Sequence, residues 1–192
     1  MTETVAVILP SPGGGRGPAE RMVAGLAGQQ AGRFRVVVLG PPGGSGFAGL
    51  EYREVKQPWR FGTAARRYAW VVARVLRGLR PAVIEVHDSL EVAAILGGVF
   101  RPVPVVLIVH SDPQGQRGAR DAAKRTFQLA QVTRIGAVSP ILRARVLEGV
   151  HPSMRLCALL PAAEDATAVG DALDALRVDA LEAWSRRLDG PI

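Results

Sequence analysis

Three polar clusters follow strand-like segments of the sequence and contain residue types that bind or transform small molecules. His87 and Asp88 end the fourth such segment, which also carries Glu85, while His110 follows the fifth and Ser139 follows the sixth. Because the carboxyl ends of parallel strands meet along one edge of a sheet, these side chains should converge in one crevice. The pattern therefore predicts a ligand site that includes His87, Asp88, His110 and Ser139.

Two other chemistries could use the same residues. Ser139, His110 and Asp88 could form a hydrolytic triad, but Ser139 lacks the G-x-S-x-G turn that exposes a nucleophile. His87, Asp88, His110 and Asp112 could bind a metal ion, but their spacing does not impose a coordination geometry. We therefore expect neither a hydrolase nor a metal site.

A glycine-rich segment follows the first strand-like segment and opens the first helical one, reading SPGGGRGP over residues 11–18. Glycines there let backbone amides approach a ligand, and the next helix offers its positive N-terminus to a phosphate or a sugar hydroxyl. A tight turn without a ligand is the alternative. The segment lacks the third glycine of a dinucleotide fingerprint, and residues 40–46 lack the lysine of a phosphate loop.

Short β-branched segments alternate with helical patterns along residues 1–161. This rhythm predicts a Rossmann-like three-layer α/β/α domain whose mainly parallel sheet has six or seven strands. Five glycines and two prolines in residues 40–49 predict a mobile loop there. The predicted strands are 5–9, 35–39, 52–55, 82–86, 103–109, 134–138 and 155–160, and the predicted helices are 18–27, 64–79, 90–99, 119–131 and 141–150.

Residues 162–192 differ in composition from the rest of the chain. They hold 3 basic and 7 acidic residues, net −4, whereas residues 1–161 hold 21 and 10, net +11. Leu173, Leu176, Ala180 and Trp184 recur at helical spacing, which predicts an acidic amphipathic helix. We expect this helix to dock on the α/β domain, because its apolar stripe must be buried against another apolar surface.

The basic body favours anionic partners. Residues 60–80 contain six arginines and no acid, with aromatic residues interleaved. Such a stretch is typical of a solvated helix face, and it also fits an anionic membrane surface, a protein partner or nucleic acid. Charge alone does not distinguish these partners, and nucleic acid is the least favoured of them.

The single cysteine, Cys157, permits no internal disulfide and is predicted to be a buried small hydrophobic residue. The N-terminus has no basic region before an apolar one, and no uncharged apolar run reaches the roughly 18 residues of a membrane span. We therefore expect a cytoplasmic protein, with contact at the inner face of the membrane as a further option.

Taken in order, four segments resemble glycosyltransferase family 4 over its N-terminal half. The resemblance covers residues 1 to about 161, and its most specific parts are the strand ending in His87-Asp88, the strand ending in His110, and the Ala-Val-Ser before a helix. The four segments are VILP with GGG at residues 7–15, PAVIEVHD at 81–88, VVLIVH at 105–110, and IGAVS followed by Leu142-Arg143 at 135–143.

The resemblance implies one half of a GT-B enzyme, retaining and metal-independent, that moves a sugar from a nucleotide-sugar to a glycan or lipid-linked acceptor in polysaccharide biosynthesis. Gly14 and Gly15 match the family's glycine loop beside the donor phosphates, and Arg16 is their neighbour. His110 matches the histidine that meets the transferred hexose, which implies a catalytic role. No cofactor is implied besides the nucleotide-sugar, which is a substrate.

The family's second domain, which carries the donor-phosphate cations, has no room in the 31 residues after Pro161. We therefore expect an acceptor-side half that is inactive or incomplete by itself and that is completed by a separate donor-domain chain. The alternative is a truncated, non-catalytic module that binds a glycan, a lipid-linked acceptor or a protein.

Overall fold

Alternating strands and helices follow one another along the whole chain. The computed structural model describes residues 2–10, 17–26, 33–43, 47, 49–56, 62–116, 118–151, 157–161 and 165–188. The strands are β1 (Glu3–Ile8), β2 (Phe34–Gly40), β3 (Glu51–Glu54), β4 (Val83–His87), β5 (Val105–Val109), β6 (Arg134–Ala137) and β7 (Cys157–Leu159). The helices are α1 (Pro18–Gly25), α2 (Ala64–Leu79), α3 (Leu90–Val99), α4 (Ala122–Leu129), α5 (Pro140–Leu147) and α6 (Ala166–Leu188).

The strands form a seven-stranded sheet in the order β3-β2-β1-β4-β5-β6-β7, and every neighbouring pair is parallel. The strand order reverses between β1 and β4, where successive crossovers leave the sheet in opposite directions. In such a sheet the switch point opens a crevice at the carboxyl ends of the strands. The predicted Rossmann-like three-layer fold is confirmed.

Both faces of the sheet are covered by helices. One apolar core lies between the sheet and α2 to α5, and a second lies between the sheet and α1 with α6. Every residue of β4 and β5 is buried, as the apolar runs of parallel strands require. Because side chains alternate along a strand, Val83, Glu85 and His87 face the α6 side, while Ile84 and Val86 face α3.

Local caps explain where several helices begin. The hydroxyls of Thr63 and Ser89 accept hydrogen bonds from the first turns of α2 and α3, so both helices begin where the sequence predicts. The predicted helix at 119–131 is shorter, because Asp121 caps α4 by accepting a 2.7 Å hydrogen bond from Lys124 N. The predicted strand at 103–109 begins only at Val105, because the Val103 amide closes a turn onto Phe100 O.

The acidic C-terminal segment forms α6, which contacts β4, β5 and β6. Leu173, Leu176 and Ala180 are buried against the sheet, as expected for its apolar stripe. The division at residue 161 stays a prediction. None of the helices among the described residues is both long and apolar enough to cross a bilayer.

The expected mobile loop at 40–49 lies partly outside the described residues, which omit 44–46 and 48. Phe47 is buried and its ring stacks on Tyr52 at a centroid distance of 5.1 Å. Cys157 is buried as predicted, and burial raises the pKa of its thiol to about 11.

Tyr68 fastens α2 to the carboxyl ends of β1 and β2 beneath the crevice. Its ring is 1% exposed, and its hydroxyl donates to Leu9 O at 2.9 Å and lies 3.1 Å from Leu39 O. The helix therefore sets the separation of two strand ends as well as covering them.

Removing this hydroxyl should destabilise the fold. Tyr68→Phe keeps the ring but leaves the buried Leu9 carbonyl short of a donor, so the free energy of unfolding should fall by about 1–2 kcal/mol in urea titrations. Tyr52→Phe is the matched control, because its half-buried hydroxyl meets Pro41 O near the surface. Equal losses in the two variants would contradict the assigned role of Tyr68.

Candidate functional site

A cleft of about 730 Å³ opens at the carboxyl ends of the strands, next to the switch point between β1 and β4. Its floor includes Leu9 and Tyr68, and His87 and Asp88 reach it from the end of β4. The other described lining residues are Pro10, Gly17, Pro18, Ala19, Glu20, Pro41, Pro42, Val55, Thr63, Ala64, Ala65, Ser89, Glu91 and Gln116. The cleft is therefore where the topology of a Rossmann-like sheet places a ligand.

The two predicted histidines meet at the ends of neighbouring strands. His87 is the last residue of β4, and His110 directly follows β5, which pairs with β4 in parallel. His87 Nδ1 lies 2.8 Å from His110 Nε2, and the ring centroids are 5.1 Å apart, so the two rings meet edge to edge through these nitrogens. His87 lines the cleft, whereas His110, which is 8% exposed, adjoins it through His87. The sequence-based expectation that these imidazoles converge agrees with this geometry.

A third buried group, Glu85, continues the chain of contacts away from the cleft. It stands two residues before His87 and so faces the same side of the sheet. Glu85 Oε1 lies 2.8 Å from His87 Nε2, and both side chains are fully buried. Sequence reasoning noted Glu85 in a polar cluster but gave it no role in the site.

Arg177 reaches Glu85 from α6, 92 residues further along the chain. Its Nε donates to Glu85 Oε2 at 2.8 Å and its Nη2 donates to Glu85 Oε1 at 3.1 Å, which makes the pair bidentate. Asp174, one turn earlier on α6, accepts a 2.7 Å hydrogen bond from Arg177 Nη1. Sequence reasoning missed Arg177, although its place between Leu173 and Ala180, inside the apolar stripe of α6, was an available signal.

The electrostatics of this chain follow from its burial. Burial by itself would raise the pKa of the Glu85 carboxyl, but the Arg177 guanidinium and the hydrogen bond from His87 outweigh it and lower that pKa to about 2. Burial likewise opposes the charge on Arg177, yet Glu85 and Asp174 raise its pKa. Burial lowers the pKa of His110 to about 3. Near neutral pH the site therefore holds a buried carboxylate-guanidinium pair and an uncharged His110.

Asp88 holds the ends of β4 and β5 together. Its backbone is left-handed, with φ of 56°. Its Oδ1 accepts hydrogen bonds from the amides of His110 at 3.1 Å and Ser111 at 2.9 Å. Asp88 therefore fixes the backbone that carries His110, and its side chain does not bond to the imidazole. Its predicted role in ligand binding stays a prediction.

Ser139 lies at the end of β6, where its hydroxyl accepts a 3.2 Å hydrogen bond from Leu142 N and so caps α5. Neither Ser139 nor the Asp88 carboxylate bonds to the His110 ring, so the described contacts do not form a hydrolytic triad. Among the described residues, no three or more histidine, cysteine or acidic side chains are grouped to hold a metal ion.

Gly14, Gly15 and Arg16 lie outside the described residues, so their predicted contacts with a donor stay predictions. The described chain resumes at Gly17, the residue before α1, and Pro18 occupies the first turn of that helix. Both residues line the cleft, as does Glu20, which is 5% exposed. Gly17 and the first turn of α1 therefore lie at the rim of the cleft.

The topology and the cleft at its strand ends define a Rossmann-like domain of the kind that forms one half of a GT-B enzyme. The family model for Glycosyltransferase Family 4 matches residues 17–156, which is more than half of the chain. The chain therefore belongs to glycosyltransferase family 4. No curated protein matches this sequence.

Solved structures share the fold at low sequence identity. UDP-N-acetylglucosamine 2-epimerase from Rickettsia bellii superposes with a TM-score of 0.57 at 14% identity, covering 91% of this chain and 47% of the epimerase. Anabaena HepE in complex with UDP and glucose superposes with a TM-score of 0.57 at 15% identity, covering 83% of this chain and 44% of HepE. UDP-GlcNAc 2-epimerase from Neisseria meningitidis bound to UDP-GlcNAc superposes with a TM-score of 0.54 at 11% identity, covering 97% of this chain and 53% of the epimerase. The chain thus spans about half the length of these structures.

Breaking the Arg177–Glu85 pair should be costly. Arg177→Met leaves a fully buried carboxylate without its counter-ion, so the free energy of unfolding in denaturant titrations should fall by about 3–5 kcal/mol. Arg186→Met is the matched control on the same helix, since Arg186 is exposed, and should stay within about 0.5 kcal/mol. The double variant Glu85→Leu with Arg177→Met should recover most of the loss, because it removes both charges. An Arg177→Met loss no larger than that of the control would contradict the assignment.

Acid should destabilise the protein through His110. Because its pKa is about 3 in the folded chain against an ordinary 6.5, the unfolded chain takes up a proton first as the pH falls. The contribution of His110 to the free energy of unfolding is therefore complete above pH 6.5. Below pH 6.5 this contribution should decline, with a slope approaching about 1.4 kcal/mol per pH unit. Urea titrations between pH 7 and 5 should show this decline in the wild type. His151→Gln is the matched control, because His151 is exposed, and it should show the same decline. A His110→Gln variant that keeps the full slope would show that His110 is not its source.

Proposed function

We propose that this chain supplies the acceptor-side half of a retaining glycosyltransferase that uses a nucleotide-sugar. The observation that carries the proposal is the His87–His110 pair, which adjoins the cleft at the strand ends of a family 4 domain. The proposed reaction breaks the bond between the sugar anomeric carbon and the phosphate oxygen, and joins that carbon to an acceptor hydroxyl oxygen. The products are the glycoside, the nucleoside diphosphate and the proton lost by the hydroxyl.

The described wall of the cleft suits a polyol acceptor. Its described carboxylates are Glu20, Asp88 and Glu91, and Glu91 Oε1 accepts a 2.7 Å hydrogen bond from Thr63. Carboxylates accept hydrogen bonds from sugar hydroxyls and repel phosphates. The sugar portion of a glycan, free or lipid-linked, is therefore the acceptor class that we assign to this cleft.

The departing nucleoside diphosphate needs amides or cations to offset the charge that develops on its leaving oxygen. In our proposal, the backbone of Gly14 and Gly15, together with Arg16, provides part of that compensation. A second lobe provides the remainder, since this chain spans about half of the structures that it matches. The reaction takes no metal or cofactor in our proposal.

The exposed face of α2 supports contact with an anionic membrane surface, where a lipid-linked acceptor would lie. Arg66, Trp70, Arg74 and Arg77 are exposed on successive turns, and Trp70 is 53% exposed. Basic and aromatic residues on one helix face are typical of interfacial helices. Cosedimentation with anionic vesicles, comparing the wild type with Arg74→Glu, tests this part of the proposal.

Sugar binding by this chain tests the proposal directly. Calorimetry with neutral oligosaccharides, a phosphorylated oligosaccharide and UDP-glucose should show saturable binding of a neutral sugar, and weaker binding of the phosphorylated one. His110→Ala should weaken binding about tenfold or more, which corresponds to about 1.4 kcal/mol. His151→Ala is the matched control and should bind as the wild type does. Absence of any sugar binding, or equal binding by the two variants, would overturn the proposal.

A non-catalytic binding module is the second candidate, and the carboxylates of the described cleft wall favour it because they offer no compensation for a departing phosphate. Turnover of a nucleotide-sugar after addition of a chain bearing the donor lobe would exclude this candidate. Saturable sugar binding without turnover in that mixture would favour it over the enzyme.

A further inference from the structure

A continuous chain of polar contacts, buried from Arg177 onward, runs from α6 to the end of β5. It passes from Asp174 through Arg177, Glu85 and His87 to His110, and each link is between 2.7 and 3.1 Å. Glu85 and His87 have fully buried side chains, and the Arg177 side chain is 3% exposed. Such a chain constrains where each proton can reside, because a buried hydrogen bond needs one donor and one acceptor.

The order of donors and acceptors starts at Arg177. A guanidinium has only donors, so both oxygens of Glu85 act as acceptors toward it. Glu85 is ionised and carries no hydrogen of its own. The hydrogen in the 2.8 Å contact between Glu85 Oε1 and His87 Nε2 therefore belongs to His87.

The same reasoning carries the order to His110. In a neutral imidazole, one ring nitrogen donates and the other accepts. We take His87 as neutral, because the Glu85 carboxylate beside it already has Arg177 as its bidentate counter-ion. With its hydrogen on Nε2, a neutral His87 presents a lone pair on Nδ1, so the hydrogen in the 2.8 Å contact between the rings belongs to His110 Nε2. His110 Nδ1 is then left with a lone pair. Within the described part of the chain, no group bonds to that nitrogen.

We propose that Arg177 and Glu85 are positioning residues that, through His87, hold the hydrogen of His110 on Nε2 and present its Nδ1 to the bound sugar as a hydrogen-bond acceptor. This assignment concerns the protein alone until its last step, and only that step rests on the proposed function. The group that meets His110 must then be a donor, such as a sugar hydroxyl or an amide N–H. A phosphate or carboxylate oxygen would face a lone pair and be rejected.

The bidentate geometry explains why an arginine from α6 serves this role. Its planar fork occupies both Glu85 oxygens and keeps the carboxylate in one orientation. Asp174 holds the guanidinium from its other side. The docking of α6 thereby decides which ring nitrogen of His110 carries a hydrogen, although His110 lies at the other end of the chain of contacts.

The tautomers can be measured in the free protein. Long-range 1H–15N correlation spectra of 15N-histidine-labelled wild type at pH 7 should show both His87 and His110 as neutral rings with the hydrogen on Nε2. The sequence has three histidines, so His151→Gln and His110→Ala suffice to assign the signals. A hydrogen on His110 Nδ1, or a charged His87, would overturn the proposal without any further variant.

Glu85→Gln tests the positioning role with little change of shape. Its amide can donate as well as accept, so His87 can move its hydrogen to Nδ1 and His110 must then accept at Nε2. We expect the single His110 tautomer to be lost, wholly or in part, in this variant and in Arg177→Met. Arg186→Met, on an exposed position of the same helix, should leave the His110 signals unchanged. An unaltered His110 tautomer in folded Glu85→Gln would overturn the role of the pair.

These measurements separate the inference from the proposed function. The expected tautomers in a protein that binds no sugar would overturn the proposed function and leave the positioning role of Arg177 and Glu85 in place. Sugar binding by a protein whose His110 carries its hydrogen on Nδ1 would overturn the positioning role and leave the proposed function in place.

Discussion

The ion pair between Arg177 and Glu85 is the constraint on which the rest of the site depends. A carboxylate in the middle of a parallel sheet loses its hydration, and a partner that is both charged and correctly oriented must replace that water. The helix α6 brings the partner to one face of β4, and the strand's two-residue repeat places His87 on that same face. One contact thus connects the docking of the last helix to the state of the histidines beside the cleft.

Most of the fold could be predicted from the sequence because its signals are local. The apolar runs of β4 and β5, the apolar stripe of α2 and the Ser89 cap each depend on neighbouring residues. The convergence of His87 and His110 was also predictable, since it follows from parallel strand ends once the order of elements is known. Boundaries such as the start of α4 were missed because a single Asp121 side chain decides them.

The rest of the site depends on contacts between distant residues. Arg177 and Glu85 are 92 positions apart, and no local pattern shows which buried face of the sheet α6 will cover. Asp88 and Ser139 illustrate a different difficulty. Their residue types suit ligand binding, yet in the described structure Asp88 binds backbone amides and Ser139 caps a helix. A polar side chain at a strand end can therefore support the scaffold of a site, whether or not it also touches a ligand.

The place of Arg177 late in the chain has a consequence for biosynthesis. A ribosome releases β4 long before it releases α6, so the nascent sheet must carry the Glu85 carboxyl for a time without its cationic partner. During that interval the carboxyl is either hydrated on an open face of the sheet or protonated. Final closure of this face waits for the last helix, which makes the histidine pair one of the latest parts of the domain to reach its mature arrangement during translation.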